Sequence, residues 1–492
     1  MSAPRSQRPN IIFLHTDSMD GRMMGCMGHR EALGGITPNL DRLAEGGVLF
    51  RNAYTNNPIC CPSRASMWSG RYTHHCEAWN NYKGLADSDR TLFDELRDAG
   101  YRMELFGKLD YLSGGHSERA RVSAWTRSAE ILRPNYRVAR PEVIDTQERE
   151  VHGRDWRDVA SACRWLREDA TSDSQPFFLY LGIRAPHPEF RTSRRYFDRI
   201  DEAKVDIPKP DGYDHPVLAY QRVNRNWTHG FSDDMVRLVR RVYFAMIAEV
   251  DEMVGDVLAA ADELRLGGST YIIFSSDHGE LAMEHRQWYK MSPYEASARI
   301  PLVVSGPDVR RGTSIEAPVS LVDIYPTFTD IAAIDRRDGL DGHSLVPECV
   351  GGTSEHPGWT LTEYHDTSCS TGMFMLREGT WKYVVYVGHS PQLFDLAADP
   401  DEVRDRASER PDVAADMDRR LRRTVDCEAV DAKVKAYDRA SFRRWRDAHR
   451  GDGTYRGLMT RIFSGFDDLR EDDLVPWTDE DERRIDDWLG EE

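Results

Sequence analysis

The chain has 492 residues, and at about 150 residues per domain this leaves room for two to three structural units and a large core. Hydrophobic residues make up 40% and aromatics 10%, which excludes a disordered or collagen-like chain. With 65 Lys+Arg against 83 Asp+Glu the net charge is -18, which disfavours nucleic acid and anionic membrane as partners and favours a cation such as Ca²⁺.

The N-terminal stretch shows no charged-then-apolar leader with a small-residue cleavage site, and no window approaches the roughly 18 apolar residues of a membrane span. A soluble, cytoplasmic protein is expected. In a reducing compartment the 8 Cys form no disulfide framework, and their spacings match no zinc ribbon or finger. The sequon Asn226 to Thr228 then carries no weight. Lysines number only 8, so a lysine at a suspicious place is informative.

In chain order, apolar runs bounded by turn residues predict strands at 10–16, 101–107, 176–183, 271–276 and 301–306. Each is short and nearly all apolar, as strands buried on two faces are. They alternate with helical patterns over the first 330 residues or so, the signature of a mostly parallel sheet covered by helices on both faces. Met235, Leu238, Val239, Val242, Met246, Val250, Met253, Val254 and Val257 recur at helical spacing, predicting an amphipathic helix capped by Asp233 and Asp234 and ended before Gly267. From about Gly351 the texture changes to a polar loop, an alternating stretch FMLREGTWKYVVYV, and a charged helical tail. We therefore expect an α/β catalytic domain over 1–350 and a smaller C-terminal α+β subdomain over 351–492. The acidic stretch 467–473 reads as solvated surface.

Polar residues fall at the strand ends. Asp17 follows the first strand, Lys108 the second, His187 comes four residues after the third, and Asp277 and His278 follow the fourth. Ligands of open α/β sheets bind beyond the carboxyl ends of the strands, so these segments should converge. Asp17 and Asp277 are hard oxygen donors for Ca²⁺ or Mg²⁺, with Asp20 a further candidate. Lys108, His187, Lys290 and Arg64 would donate to a tetrahedral oxyanion, which points to an anionic ester or acid. In CCPSRASMWSG, Pro62 suits the first turn of a helix, so Cys60 would stand at its N-terminus, where backbone N–H groups favour an anion and depress a thiol pKa. The competing view makes Cys60 a small buried hydrophobe.

Cys60, Pro62, Ser63, Arg64 and Gly70 resemble the type I sulfatase signature CxPSRxxxxTG, with Ser69 in place of the threonine. PNIIFLHTDSMDG, TPNLDRLAEGGVLFRNAY, FGKLDY, SSDHGELAMEHRQWYKMSPYEASARIPLVV, VSLVDIYPTFTDIA and QLFDLAADPDE are similar to that family's other landmarks, almost end to end. The resemblance implies an alkaline-phosphatase-like α/β sandwich with a small C-terminal subdomain. More narrowly, CCPSRASMWSG, WNNYKGL, FGKLDYLSGGHS and TEYH look like the arylsulfatase K branch, which removes the 2-O-sulfate of glucuronate in glycosaminoglycan fragments.

Carried over by residue, the resemblance implies that Cys60 is oxidised to formylglycine by a formylglycine-generating enzyme, with Arg64 as its stabiliser. Asp17, Asp277, His278 and the modified residue 60 become Ca²⁺ ligands, and Lys108, His187 and Lys290 become sulfate and leaving-group contacts. The substrate would be a sulfated saccharide or an aryl sulfate. A phosphodiesterase or phosphonate monoester hydrolase of the same superfamily is the alternative. This chain departs from the family at Ser18, where a second aspartate is usual and Asp20 is a substitute, and at Asp110, where a histidine is usual and His116 is a substitute. Glu363 and His365 are candidates for reading a uronate carboxylate, with a structural role the rival, and His74 and His75 are taken as surface residues or neighbours of the site.

Overall fold

Apolar runs with little polar interruption pair into a seven-stranded sheet, in the order Thr313–Ile315, Val48–Phe50, Leu302–Ser305, Thr270–Ser276, Asn10–Asp17, Phe177–Pro186, Arg102–Gly107. Leu302–Ser305 runs antiparallel to both neighbours and the other pairings are parallel. These features belong to a computed structural model that describes residues 8–131, 140–170, 175–225, 231–464 and 474–490. The sequon at 226–228 and the acidic stretch 467–473 lie outside the described residues.

Side chains of the central strand alternate between two cores. Ile12 and Leu14 enter one, with the Asp233–Glu263 and Gly153–Glu168 helices, while Ile11 and Phe13 enter the other, with Trp68 and Phe328. Both faces are therefore dry, and the strand can be apolar at every position. The Arg102–Gly107 strand departs from the expected two-face burial. It is the sheet edge, and Leu105 is 36% exposed.

The long helix has a different cap from the one expected. Ser232 Oγ accepts from the Met235 N–H at 3.2 Å, and Asp233 and Asp234 occupy the first turn, where negative charge favours the helix dipole. From Val242 to Asp251 every residue is buried, so the helix is amphipathic only outside its middle.

A four-stranded antiparallel sheet follows, Trp359–Tyr364, Met373–Glu378, Trp381–Tyr386 and Gln392–Asp395. Its central hairpin is the alternating stretch read in the sequence. The Trp359–Tyr364 strand was hidden in what reads as loop, and it docks on the segment before Cys60: Glu363 N–H donates to the Asn56 carbonyl at 2.7 Å and Thr362 Oγ1 to that of Thr55 at 2.5 Å. Helices Pro411–Thr424, Cys427–Gly451, Tyr455–Phe463 and Asp479–Leu489 complete the C-terminal part. Among the described residues no helix is long and apolar enough to cross a membrane.

Candidate active site

The helix Cys60–Ser69 starts at Cys60, as the position of Pro62 predicts, and is followed by Gly70 at φ 67°. A Cβ at position 70 would fall 2.7 Å from Leu340 Cδ2, so chirality and space both call for glycine. All ten helical residues are buried, so the polar ones must find partners inside the protein. Ser63 Oγ donates to the Asp277 carbonyl at 2.5 Å. Arg64 Nε donates to Asp277 Oδ2 at 2.8 Å, and its Nη1 donates to the Lys108 carbonyl at 2.9 Å and to Tyr180 Oη at 2.8 Å. One guanidinium thus ties three strands, two of them at their ends, to the Cys60 helix.

The ends can approach because of glycines. The Lys108 N–H donates to the Gly182 carbonyl at 2.8 Å, and a Cβ on Gly107, at φ 82°, would lie 2.1 Å from that same oxygen.

Around Cys60 the expected residues converge. One donor atom from each of Asp17, Cys60, Asp277 and His278 lies within 4.8 Å of the others, and all four residues are buried. His278 Nδ1 donates to the Gly279 carbonyl at 2.9 Å, which turns Nε2 toward Cys60 Sγ at 3.3 Å. Burial and the Asp17 charge push the Asp277 carboxyl up. Burial works the same way on Asp17, but Lys108, His187, His278 and Lys290 outweigh it and hold that carboxyl well below its usual range. Two buried carboxylates, one raised by the other, beside a histidine nitrogen aimed at their common centre are a donor set that fits a divalent cation.

The cationic residues sit against this cluster. Lys108 Nζ pairs with Asp17 and, at 3.1 Å, with Asp110. Lys290 is 3% exposed, and despite burial the charges of Cys60 and Asp17 hold its ammonium above the usual lysine value. Burial and Asp17 oppose a thiolate at Cys60, yet Lys108, Lys290 and His278 win and hold this thiol well below its normal range. Cys61, one residue on, is pushed well above it, first by burial and then by Asp110 and Cys60. Adjacent in sequence, the two cysteines are opposite in chemistry.

His187 follows directly on its strand, which runs on to Pro186, and it borders two clefts. One, of about 550 Å³, is also lined by Asp17 and Lys108. The other, of about 300 Å³, reaches Lys290 and Ile59 and is lined by Arg119, Arg127 and Arg225.

Several expected substitutes go elsewhere. Asp20 is turned away from the cluster and pairs with Arg22, Nη2 to Oδ2 at 2.6 Å, because that buried guanidinium also binds Glu284 at 2.7 Å and draws both carboxylates to itself. Ser18 Oγ donates to Asp17 Oδ1 at 3.2 Å, so it orients that carboxylate. His116 reaches Asp110, Nε2 to Oδ1 at 3.0 Å, and thereby joins the Lys108 environment. Glu363 and His365 are 1% and 0% exposed and do not line either cleft. Glu363 instead accepts from His74 Nδ1 at 2.7 Å and meets His365 Nε2 at 3.4 Å, cementing the C-terminal sheet to the segment after Gly70. His75 is exposed beside Asp341 at 2.8 Å.

Sequence reasoning missed Tyr180 and Asn81. The Tyr180 hydroxyl donates to the Lys108 carbonyl at 2.8 Å, and Asn81 Oδ1 accepts from the Cys61 N–H at 3.1 Å. The signal for Tyr180 was a hydroxyl inside an all-apolar strand, which must find a partner.

Residues 9–334 match the Sulfatase family model, and residues 283–426 match the model described as N-sulphoglucosamine sulphohydrolase, C-terminal. The chain belongs to the sulfatase family. This sulfatase is 40% identical to Arylsulfatase K of Danio rerio over 464 residues, which covers 90% of this chain and 88% of that one. It is also 40% identical to Arylsulfatase K of Homo sapiens over 469 residues, 90% of this chain and 87% of the other. Among solved structures the phosphonate monoester hydrolase of Agrobacterium radiobacter superposes with a TM-score of 0.69 at 23% identity, over 87% of this chain and 96% of that one, a likeness of fold. The protein is a sulfuric ester hydrolase with an alkaline-phosphatase-like fold.

Proposed function

We propose that this sulfatase removes the 2-O-sulfate of a uronate in glycosaminoglycan-type saccharides, accepts aryl sulfates, and works with residue 60 as formylglycine made from Cys60 by a formylglycine-generating enzyme. The observation that carries the reading is the buried cluster of Asp17, Cys60, Asp277 and His278 within 4.8 Å. Support for the saccharide comes from the sequence resemblance to the arylsulfatase K branch, support for aryl sulfates from the relatives named Arylsulfatase K, and the cationic residues Arg119, Arg127, Arg225 and Lys290 along the cleft suit an anionic substrate.

Formylglycine at residue 60 would supply, as its hydrate, an oxygen nucleophile toward sulfur and, through its second hydroxyl, a route for releasing sulfate. Asp17, residue 60, Asp277 and His278 would hold Ca²⁺, with Mg²⁺ the alternative, and such a cation draws charge from a sulfate oxygen. Lys108 and Lys290 hold the other sulfate oxygens and neutralise the charge that grows on them. Lys108 stays charged for this task, since Asp17, Cys60 and Asp110 outweigh burial and hold its ammonium well above the usual value. Arg64 keeps Asp277 in place. His187, or else Lys290, gives the proton to the departing sugar oxygen.

The test is a parallel measurement of kcat/KM on an aryl sulfate, an aryl phosphate diester and a phosphonate monoester, with residue 60 verified by peptide mass spectrometry. Sulfate should lead, and 2-O-sulfated uronate disaccharides should release sulfate faster than 6-O-sulfated hexosamine ones. A preference for phosphorus would transfer the chain to the phosphodiesterase or phosphonate monoester hydrolase reading.

A further inference from the structure

Lys290 is placed by its backbone. Among the described residues its buried ammonium forms no hydrogen bond or ion pair, and the Tyr289 ring lies 5.9 Å from Nζ. A side chain whose head has no anchor goes where its Cα points it. The segment around residue 290 therefore decides whether the ammonium reaches Asp17 and Cys60, whose charges act on it.

That segment is strained. Ala282, Met283, His285, Arg286, Tyr289 and Met291 all have left-handed φ, from 44° to 78°, and none is glycine. In that region Cβ crowds the carbonyl oxygen that follows, so such a run persists only where its surroundings hold it. Tyr289 at 70° and Met291 at 78° flank Lys290 itself.

Glu280 holds the run from inside. It is 0% exposed, and its Oε1 accepts from the Tyr289 N–H and, at 3.4 Å, from the Ala282 N–H, so one oxygen grips the run near both ends. Leu281 N–H donates to the Tyr289 carbonyl at 2.7 Å and closes the loop beside it. On the other side, Met291 N–H donates to the Pro58 carbonyl at 3.2 Å and Gln221 Nε2 to the Met291 carbonyl at 2.7 Å. Both neighbours of Lys290 are thus fixed, one to the segment that follows His278, the other to the segment that enters the Cys60 helix. Among the described residues Glu280 forms no ion pair, and a buried carboxyl without one is costly. Packing alone would be better served by an apolar side chain.

We propose that Glu280 is a positioning residue for the reaction: by accepting the Tyr289 N–H it locks the loop that aims Lys290 at the sulfate. The proposal rests on the sulfatase reading above, which makes Lys290 a sulfate contact. What the loop requires is an acceptor oxygen at this point, and glutamine offers one as glutamate does.

The experiment compares wild type, Glu280→Gln, Glu280→Met, Lys290→Ala and the double variant Glu280→Met with Lys290→Ala, each with residue 60 verified as modified and folding checked by thermal melts. Three quantities are read: kcat/KM on an aryl sulfate, affinity for inorganic sulfate by calorimetry, which needs no turnover, and affinity for Ca²⁺. Glu280→Met should lose roughly tenfold or more in kcat/KM and about fivefold in sulfate affinity, with Ca²⁺ affinity unchanged. Glu280→Gln should keep both. In the Lys290→Ala background, Glu280→Met should cost no further sulfate affinity, whereas a merely structural fault would cost the same in both backgrounds. Unchanged values in Glu280→Met, equal losses in the two backgrounds, a Gln variant as poor as the Met one, or weakened Ca²⁺ binding each overturn the proposal. Should Glu280→Met fail to fold, Glu280→Gln decides: kept sulfate affinity, with 281–291 as protected from hydrogen exchange as in wild type, supports the proposal, and loss of either overturns it. Wild type inactive on every sulfate ester would instead overturn the sulfatase reading.

Discussion

Arg64 and Asp277 form a fully buried ion pair, Nε to Oδ2 at 2.8 Å, that joins the first turn of the Cys60 helix to the end of a central strand. The same guanidinium also donates to the Lys108 carbonyl and the Tyr180 hydroxyl, so its removal would leave a buried carboxylate uncompensated and take a donor from two further groups. Arg64→Ala is expected to lose roughly 3–5 kcal/mol of stability, and Arg64→Lys to recover only a fraction because an ammonium lacks the planar fork. Thermal unfolding of both variants checks this.

The two cysteines should separate cleanly. Cys60→Ala should abolish sulfatase activity, whereas Cys61→Ala should keep it, since Cys61 Sγ contacts the Leu112 carbonyl at 3.8 Å and lies outside the cluster of four. Peptide mass spectrometry should find the aldehyde or its hydrate at residue 60 and an intact thiol at residue 61. A thiol at residue 60 in active enzyme would remove the proposed nucleophile.

Metal removal should act through the same cluster. Chelation is expected to eliminate activity and Ca²⁺ to restore it, while Asp17→Asn and Asp277→Asn should each lower kcat by on the order of 10²–10³ and weaken Ca²⁺ binding seen by calorimetry. Asp20→Asn should leave Ca²⁺ affinity alone and cost stability instead, because Asp20 is bound to Arg22.

If His187 protonates the leaving oxygen, its importance depends on how badly that oxygen needs the proton. His187→Asn should slow saccharide sulfates by about 10²–10⁴ and activated aryl sulfates, whose phenolate leaves unaided, far less. Equal losses on both would favour Lys290 or a purely positional role for His187.

The Glu363 contact predicts an acid-sensitive dock between the C-terminal sheet and the His74 segment. Burial opposes its charge, yet His74 and His365 lower its carboxyl to about 2. A depressed carboxyl contributes stability that is present above its unfolded value of about 4.3 and is lost as pH falls towards 2, in total about 3 kcal/mol. Glu363→Gln should therefore be less stable at neutral pH and flatter over that acid range, as pH-dependent thermal melts would show.

Much of the candidate site was legible because it lies at the ends of strands. An apolar run ending in Asp17, in Lys108 or in Asp277 and His278 announces both the strand and the polar residue at its mouth, and parallel packing brings those mouths together. Asp20, Glu363 and His365 misled for the opposite reason. Their residue types suit a ligand or a substrate contact, but partner choice inside a protein is decided by which opposite charge is buried nearest: Arg22 claimed Asp20, His74 claimed Glu363, and Glu363 holds His365.

By itself, then, the sequence determined five strands of the main sheet, the long helix before Gly267, the signature helix that begins at Cys60, and the types of residue at the sheet's carboxyl edge, because these follow from local periodicity, turn residues and spacing. Tertiary structure alone decided that one arginine binds three strands, that neighbouring cysteines differ in acidity, and that Arg127 meets Asp438, 311 residues away. Those outcomes depend on desolvation and on distances between charges, and both quantities exist only once the chain has packed.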